Sequence, residues 1–315
     1  MKILNLIKKN YLLFALVITI VVFGVISEGK LFYPGNVINL FQQNMYVFIL
    51  ASGMFICILT GGNSDLSCGS TVCLIATVAA KLMEYKVNTL VILLLMLLIG
   101  IVIGLIHGYL VGKFKLPSII VTLASMIIIR GLANLILKGY TLSITDETFM
   151  VLFSVSRGFP FYVLFVLLSV LLTIYISEYA PIGKHIYAVG GNANSAKTSG
   201  INQVSIIIFA YVFMGICCAL TAGVVAGRME NVGSSLGETY AMDAIAACFI
   251  GGVAVSGGKG KMSQVIIGAL LMGIINQGMS IIGLSVNWQY VIKGVILVGA
   301  VLLGHLLNKE ERLTK

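Results

Sequence analysis

Residues 89–112 read TLVILLLMLLIGIVIGLIHGYLVG, twenty-four positions without an aspartate, glutamate, lysine or arginine. At about 1.5 Å of rise per residue, a helix of that length crosses the roughly 30 Å hydrocarbon core of a bilayer. The stretch has no polar stripe, so it does not suit the surface of a water-soluble domain. The rest of the chain has the same character. Of 315 residues, 59% are hydrophobic and 10% are charged, and the mean hydropathy is +1.07. Soluble domains carry roughly 25% charged residues, and disordered chains are both less apolar and more charged. A polytopic membrane protein is what remains.

Apolar runs at 11–26, 37–60, 67–82, 118–137, 160–178, 204–227, 241–256, 262–282 and 289–307 join 89–112 as candidate spans. The runs at 67–82 and 241–256 are short and flanked by glycine. Ten spans of about 20 residues use roughly 200 positions, which leaves only short connections and no room for a second, soluble domain. The expected fold is all-α and polytopic, a single domain over 1–315 with about ten transmembrane helices and glycine-rich broken segments. The first ten residues carry Lys2, Lys8 and Lys9, and no small-x-small cleavage site follows the first apolar run, so that run is expected to stay as a span.

Charge sets the orientation. With the N-terminus in the cytoplasm and the spans alternating, twelve basic residues fall inside: Lys2, Lys8, Lys9, Lys113, Lys115, Lys184, Lys197, Lys259, Lys261, Lys309, Arg312 and Lys315. Six fall outside: Lys30, Lys81, Lys86, Lys138, Arg157 and Arg228. That is the bias of the positive-inside rule, and it places both termini in the cytoplasm. The formal net charge of +9 is scattered between apolar runs and forms no patch, which excludes nucleic acid as a partner.

Thirty-five glycines and four prolines suit closely packed, mostly unkinked helices with local breaks. Two breaks are alike. Gly61-Gly62-Asn63-Ser64-Asp65-Leu66-Ser67 and Gly251-Gly252-Val253-Ala254-Val255-Ser256-Gly257-Gly258 each follow an apolar helix, and both fall near the cytoplasmic side. They read either as the two copies of an internal repeat or as chance in a glycine-rich chain. Unwound backbone of this kind must line a polar cavity, because it cannot face lipid.

No catalytic constellation, cofactor motif or metal-ligand spacing stands out. His107, His185 and His305 are far apart, and the six cysteines form no CxxC pair and read as small apolar residues. No GxxxxGK[ST] phosphate loop occurs, so the chain is not expected to act as an enzyme on ATP. Val255-Ser256-Gly257-Gly258-Lys259 looks like an ATPase signature only by accident. Charges in or near spans are Asp65, Arg130, Asp243 and Lys293. Helix capping is the reading for the two aspartates, and reaching toward an interface is the reading for the two cations.

Asn39, Gln42, Gln43 and Asn44 enrich the second span, and Asn39, Gln43 and Tyr46 share one helical face. Asn276 and Gln277 are a polar pair within an apolar run. Amides donate and accept, which suits a pore for a neutral, hydroxyl-rich solute; an interfacial or helix–helix role fits equally. Asn39, Gln42, Gln43, Asp65, Ser67, Asn276 and Gln277 are the candidates for a translocation pathway. The cytoplasmic segment at about 179–203 is the longest connection. Within it Asn192 or Asn194 can cap a short helix formed by Ala193, Ala196 and Lys197, with Gly200 as its stop. A docking helix for a soluble partner and a solvated linker are both open readings.

At this segment a family resemblance emerges. Gly183-x-x-Ile186-Tyr187-Ala188-Val189-Gly190-Gly191-Asn192, with Ala196 and Ser199-Gly200-Ile201, resembles the membrane permease subunits of bacterial ABC importers for monosaccharides, of the ribose, xylose and galactose type. Asp65-Leu66-Ser67-x-Gly69-Ser70, Asp243-Ala244-Ile245-Ala246-Ala247 with Ile250-Gly251-Gly252, Gly278-Met279-Ser280 and Trp288-Gln289 with Lys293-Gly294 are similar to further motifs of that family, in the same order over about 36–307. One departure is that Asn63 and Ser64 both separate Gly62 from Asp65, where the family usually has one residue.

The resemblance implies a permease of the bacterial cytoplasmic membrane that translocates a pentose or hexose by alternating access. It implies three partners: a separate ABC ATPase subunit, an extracytoplasmic sugar-binding protein, and a second permease subunit, expected to be an identical copy. It assigns ATPase coupling to Gly183, Tyr187, Gly190, Gly191, Asn192, Ala196, Ser199 and Gly200. A nucleoside or other polar solute, or an ion-coupled secondary transporter, are the alternatives.

Overall fold

The computed structural model describes residues 11–154 and 161–313, with side chains described through 302 except at 11 and 300. Lys2, Lys8, Lys9, Arg157 and Lys315, which entered the charge count, lie outside the described residues. Thirteen helices follow in chain order: α1 Tyr11–Ile26, α2 Pro34–Leu59, α3 Cys68–Glu84, α4 Thr89–Gly112, α5 Ser118–Leu137, α6 Glu147–Phe153, α7 Phe161–Ile174, α8 Pro181–Gly191, α9 Ala193–Thr198, α10 Gln203–Met229, α11 Tyr240–Ile250, α12 Met262–Ile281 and α13 Val286–Leu313. A π turn, Tyr175–Tyr179, closes α7, and one antiparallel bridge pairs Leu142 with Val232 and Ser143 with Asn231. The described residues are thus all-α apart from that bridge.

Among the described residues, six helices are long and apolar enough to cross a membrane: α2, α4, α5, α7 with its π turn, α10 and α12. The run at 241–256 yields only eleven helical residues, because Gly251 ends the helix and 251–261 is irregular. Helix starts follow local rules. Proline occupies the first turn of α2 and α8, and side chains of Asn88, Asp146, Asn192 and Asn202 accept from the exposed amides of α4, α6, α9 and α10. On α4 and α5, Leu94, Leu98, Val102, Ile106, Ile120, Ile127 and Ile128 are exposed, as helices against lipid require.

The tightest packing is α4 against α10. Gly100, Gly104 and Gly108 recur every fourth residue along one face of α4, and a side chain at any of them would strike the backbone of Gly215, Tyr211 or Ile208. Bare glycine brings backbones into van der Waals contact, which drives helix association where the hydrophobic effect is absent.

The packing is reciprocal between two four-helix sets, α2–α5 and α10–α13. α4 lies on α10 as α12 lies on α2, α3 packs on α5 and α10 as α11 packs on α13 and α2, and α2 meets α10 in the middle. α2 and α10 run antiparallel, with Gly53 against Met214 and Cys57 Sγ donating to the Ala210 carbonyl, and Leu59 at the end of α2 lies against α8. The sets therefore run in opposite directions, as in an inverted repeat. This changes the register of the repeat read from sequence. The counterpart of the 60–67 break is the 230–239 segment, and Gly69, just beyond the first, faces Gly237, within the second, backbone to backbone. The similar Gly-Gly segments at 61–67 and 251–258 are not the repeat pair; they meet at one end of the bundle.

Candidate functional site

At that end three glycine-rich segments touch. The Gly258 amide donates to the Leu59 carbonyl at 3.0 Å. A side chain on Gly62 would collide with the Val255 carbonyl, one on Gly257 with the backbone of Gly61 and Gly62, and one on Gly190 with the Leu59 carbonyl and the Gly258 backbone. Gly62, Gly257 and Gly258 all adopt positive φ, which L side chains rarely take. α8 is pinned to the second break at another point, where the Tyr187 hydroxyl donates to the Gly260 carbonyl at 2.7 Å. Burial, and next the charge of Glu178, raise the Tyr187 pKa, so the phenol keeps its proton and stays a donor.

The segment expected as a loop with one short helix is two helices. Asn192, between them, accepts from the Ser195 amide at 3.0 Å and caps α9, and Gly200, at φ 82°, follows its end. Ile186 is fully buried and Val189 and Ala196 nearly so, while Gly191 and Ser199 are exposed. Gly183 packs against the carbonyls of Ile176 and Ser177 in the π turn. The Gln203 side chain donates to the Ala193 carbonyl. One face of this helix pair is thus fixed to both breaks, and its other face is open. Lys113, Lys115, Lys184, Lys197, Lys259 and Lys261 cluster in sequence at the helix ends and breaks that meet here.

The pathway candidates do not gather into one cavity. Asp65 and Ser67 are buried, and Asp65 accepts from the Ser67 amide at 2.8 Å and its hydroxyl at 2.6 Å. That is the local capping turn expected for Asp65, opening α3. Asp65 also lies 3.8 Å from His107 Nδ1, whose ring meets Tyr211 edge-on. Asn39 is exposed and Gln42 and Gln43 are half-buried along the first half of α2. Asn44 is buried against Gly273 of α12. One turn further along α12 stand Asn276 and Gln277, and their side-chain oxygens are buried without a hydrogen-bond partner among the described residues.

The four charged residues differ from the sequence reading, Asp65 excepted. Asp243 is not a cap. It is fully buried one turn into α11 and takes the Lys293 ammonium from α13 at 3.0 Å, the Tyr46 hydroxyl from α2 at 2.6 Å and the Thr239 hydroxyl at 3.3 Å. Lys293 therefore does not reach for an interface; its side chain is 12% exposed and committed to this ion pair. A charge inside an apolar bundle needs such a partner. Arg130 likewise turns inward from α5 and donates to the carbonyls of Ser234 and Leu236, at 2.7 and 2.6 Å, holding the 230–239 segment. Spacing alone could not find these pairings, because the partners lie 50 to about 200 residues apart. The six cysteines are all buried free thiols, packed as small apolar side chains.

Residues 36–301 match the family described as branched-chain amino acid transport system / permease component. The ribose import permease protein RbsC of Escherichia coli (strain K12) is 33% identical over 304 residues, covering 95% of this chain and 93% of that protein. The D-allose transport system permease protein AlsC of the same strain is 32% identical, covering 94% and 91%, and the galactose/methyl galactoside import permease protein MglC is 32% identical, covering 86% of each. No solved structure matches the chain. The apolar helices and these relatives together make this a multi-pass inner-membrane protein, and the chain belongs to the family of transport-system permease components.

Proposed function

We propose that this chain is the membrane-spanning subunit of an ATP-binding-cassette importer that moves a monosaccharide inward by alternating access. In this reading the whole chain is one permease domain of about ten spans with both termini in the cytoplasm. It has no enzymatic activity of its own and is worked by a separate ATPase subunit. A sugar-binding protein delivers solute from outside, and a second copy of the chain completes the pathway. The relatives' names supply the solute class. The lysines gathered at the α8–α9 end support the orientation.

The observation that carries the coupling role is the contact of α8 with both glycine breaks, through Gly190 on Leu59 and Gly258 and through Tyr187 on Gly260. A push on the open face of α8 and α9 reaches the 60–67 and 251–261 segments together, through the Gly190 backbone and the Tyr187 side chain. Asn39, Gln42, Gln43, Asp65, Ser67, Asn276 and Gln277 remain the proposed polar lining, brought into one path as the halves rearrange.

The test is uptake by vesicles that hold the permease, its ATPase and its binding protein. Ala196→Asp places a charge at a buried contact, and Gly200→Val forces a side chain onto φ 82°. Both are expected to abolish uptake while membrane insertion, followed by fractionation, is kept. Normal uptake by both variants sinks the coupling role. The buried Asp243–Lys293 pair is the one observation that favours an ion-coupled transporter. Uptake driven by an ion gradient in vesicles without the ATPase decides for that second reading.

A further inference from the structure

At the end of the bundle away from α8 lies a cleft of about 170 Å³ between the 229–240 segment and the start of α13. α10, 27 residues and about 40 Å long, runs from the α9 side to Met229 in the lining, and the 230–240 segment folds back from there to meet Gly69 and Tyr46. Its polar lining is Asn231, Ser235, Glu238, Thr239, Tyr240 and Tyr290. We infer that this cleft is the entry subsite for the solute and that it takes a neutral monosaccharide.

Three features of the lining decide the class. Two tyrosines offer aromatic faces to the C–H surface of a sugar ring. A carboxylate, an amide and two hydroxyls accept from or donate to ring hydroxyls. No lysine or arginine lines the cleft; of the two nearby guanidiniums, Arg130 is committed to the Ser234 and Leu236 carbonyls, and Arg228, beside the lining Met229, is half-buried and interacts with Tyr240 and Tyr46. A phosphorylated sugar or an amino acid needs a cationic partner for its anionic group. The lining therefore separates a sugar from the branched-chain amino acid in the family's description.

The cleft is also held in shape from behind. Tyr240 stacks on Tyr46 with ring centroids 4.0 Å apart and planes 21° apart. The Tyr46 hydroxyl is fixed by Asp243, and Asp243 by Lys293. Arg130 fixes the opposite wall. The buried charges thus act as positioning residues for the aromatic wall.

The inference rests on the import reading, so wild-type uptake is measured first, in vesicles holding the complete complex, with radiolabelled ribose, galactose and leucine. Uptake of a sugar and not leucine is expected. Glu238→Gln and Tyr290→Ala should each lower sugar uptake about tenfold, the scale of one charge-assisted hydrogen bond. A second measurement does not depend on those variants folding. Ser235→Cys is the only accessible thiol in a chain whose six cysteines are buried. A membrane-impermeant thiol reagent should label it from outside, and added sugar should slow that labelling about fivefold, as occupancy of the cleft would.

Sugar uptake unchanged in both variants, labelling only from the cytoplasmic side, or labelling that sugar does not slow overturns the inference while leaving the import reading intact. Uptake of leucine in place of sugar overturns the solute class. No uptake of any of the three by the wild type defeats the import reading itself, and the cleft with it.

Discussion

The two ends of the bundle are held together by opposite chemistry. At the α8 end the contacts are backbone on backbone, through Gly62, Gly190, Gly257 and Gly258. At the other end they are side-chain charges reaching across helices: Arg130 to the 234–236 carbonyls, and Lys293 and Tyr46 to Asp243. Glycine contacts tolerate no added atom, so segments joined this way move as a unit. Ion pairs in an apolar bundle do the reverse: they tolerate nearby changes of shape but fix partner and register. The end proposed to receive a push is the one joined mostly through backbone, with the Tyr187 hydroxyl on Gly260 added. The end proposed to receive a solute is the one with fixed walls.

The sharpest way to break this contrast is to add atoms at the glycine joint. Gly190→Val should abolish uptake, because its side chain collides with the Leu59 carbonyl and Gly258, whereas Gly191→Ala, with open space beyond it, should transport as the wild type does. Equal uptake in the two variants would mean the joint transmits nothing.

Next in size is the ion pair. Lys293→Met leaves a buried carboxylate, which costs about 3–5 kcal/mol, and the thermal midpoint of the detergent-solubilised protein should fall accordingly. The double variant Asp243→Asn/Lys293→Met removes both charges and should recover most of that loss. No recovery would show that the pair is more than electrostatic. Arg130→Gln should cost about 1 kcal/mol, since the exposed Ser234 and part-buried Leu236 carbonyls lose a charged donor. The smallest effect is expected at the α8–α9 junction. Asn192→Ala removes one cap, about 1 kcal/mol, and should weaken coupling without touching the melting of the bundle; Asn192→Asp keeps the cap and should restore it.

Much of the fold was legible in the sequence. Runs such as 89–112 and 204–227 need no context, because apolarity over that length has one physical outcome. The Asn192 cap and the Gly200 stop were legible too, being local rules. The breaks were visible as glycine pairs, but which break mirrors which was not. Inverted repeats are related by space, and a resemblance of seven residues misled where the packing of Gly69 on Gly237 informs. The site was less legible. Lys293 and Asp243 look alike as a cap and an interfacial cation until α11 and α13 are laid side by side. Asn39, Gln43 and Tyr46 share a face as read, yet Tyr46 is engaged by Asp243, and that makes it part of a wall.

The ladder of Gly100, Gly104 and Gly108 bears on how the molecule can move at all. With α4 seated directly on the backbone of α10, any sliding between them would drive carbonyls into carbonyls, so this pair turns only as a rigid body. Hinges must then lie elsewhere, at the irregular residues 60–67, 230–239 and 251–261, where scattered turn bonds replace a continuous helical ladder.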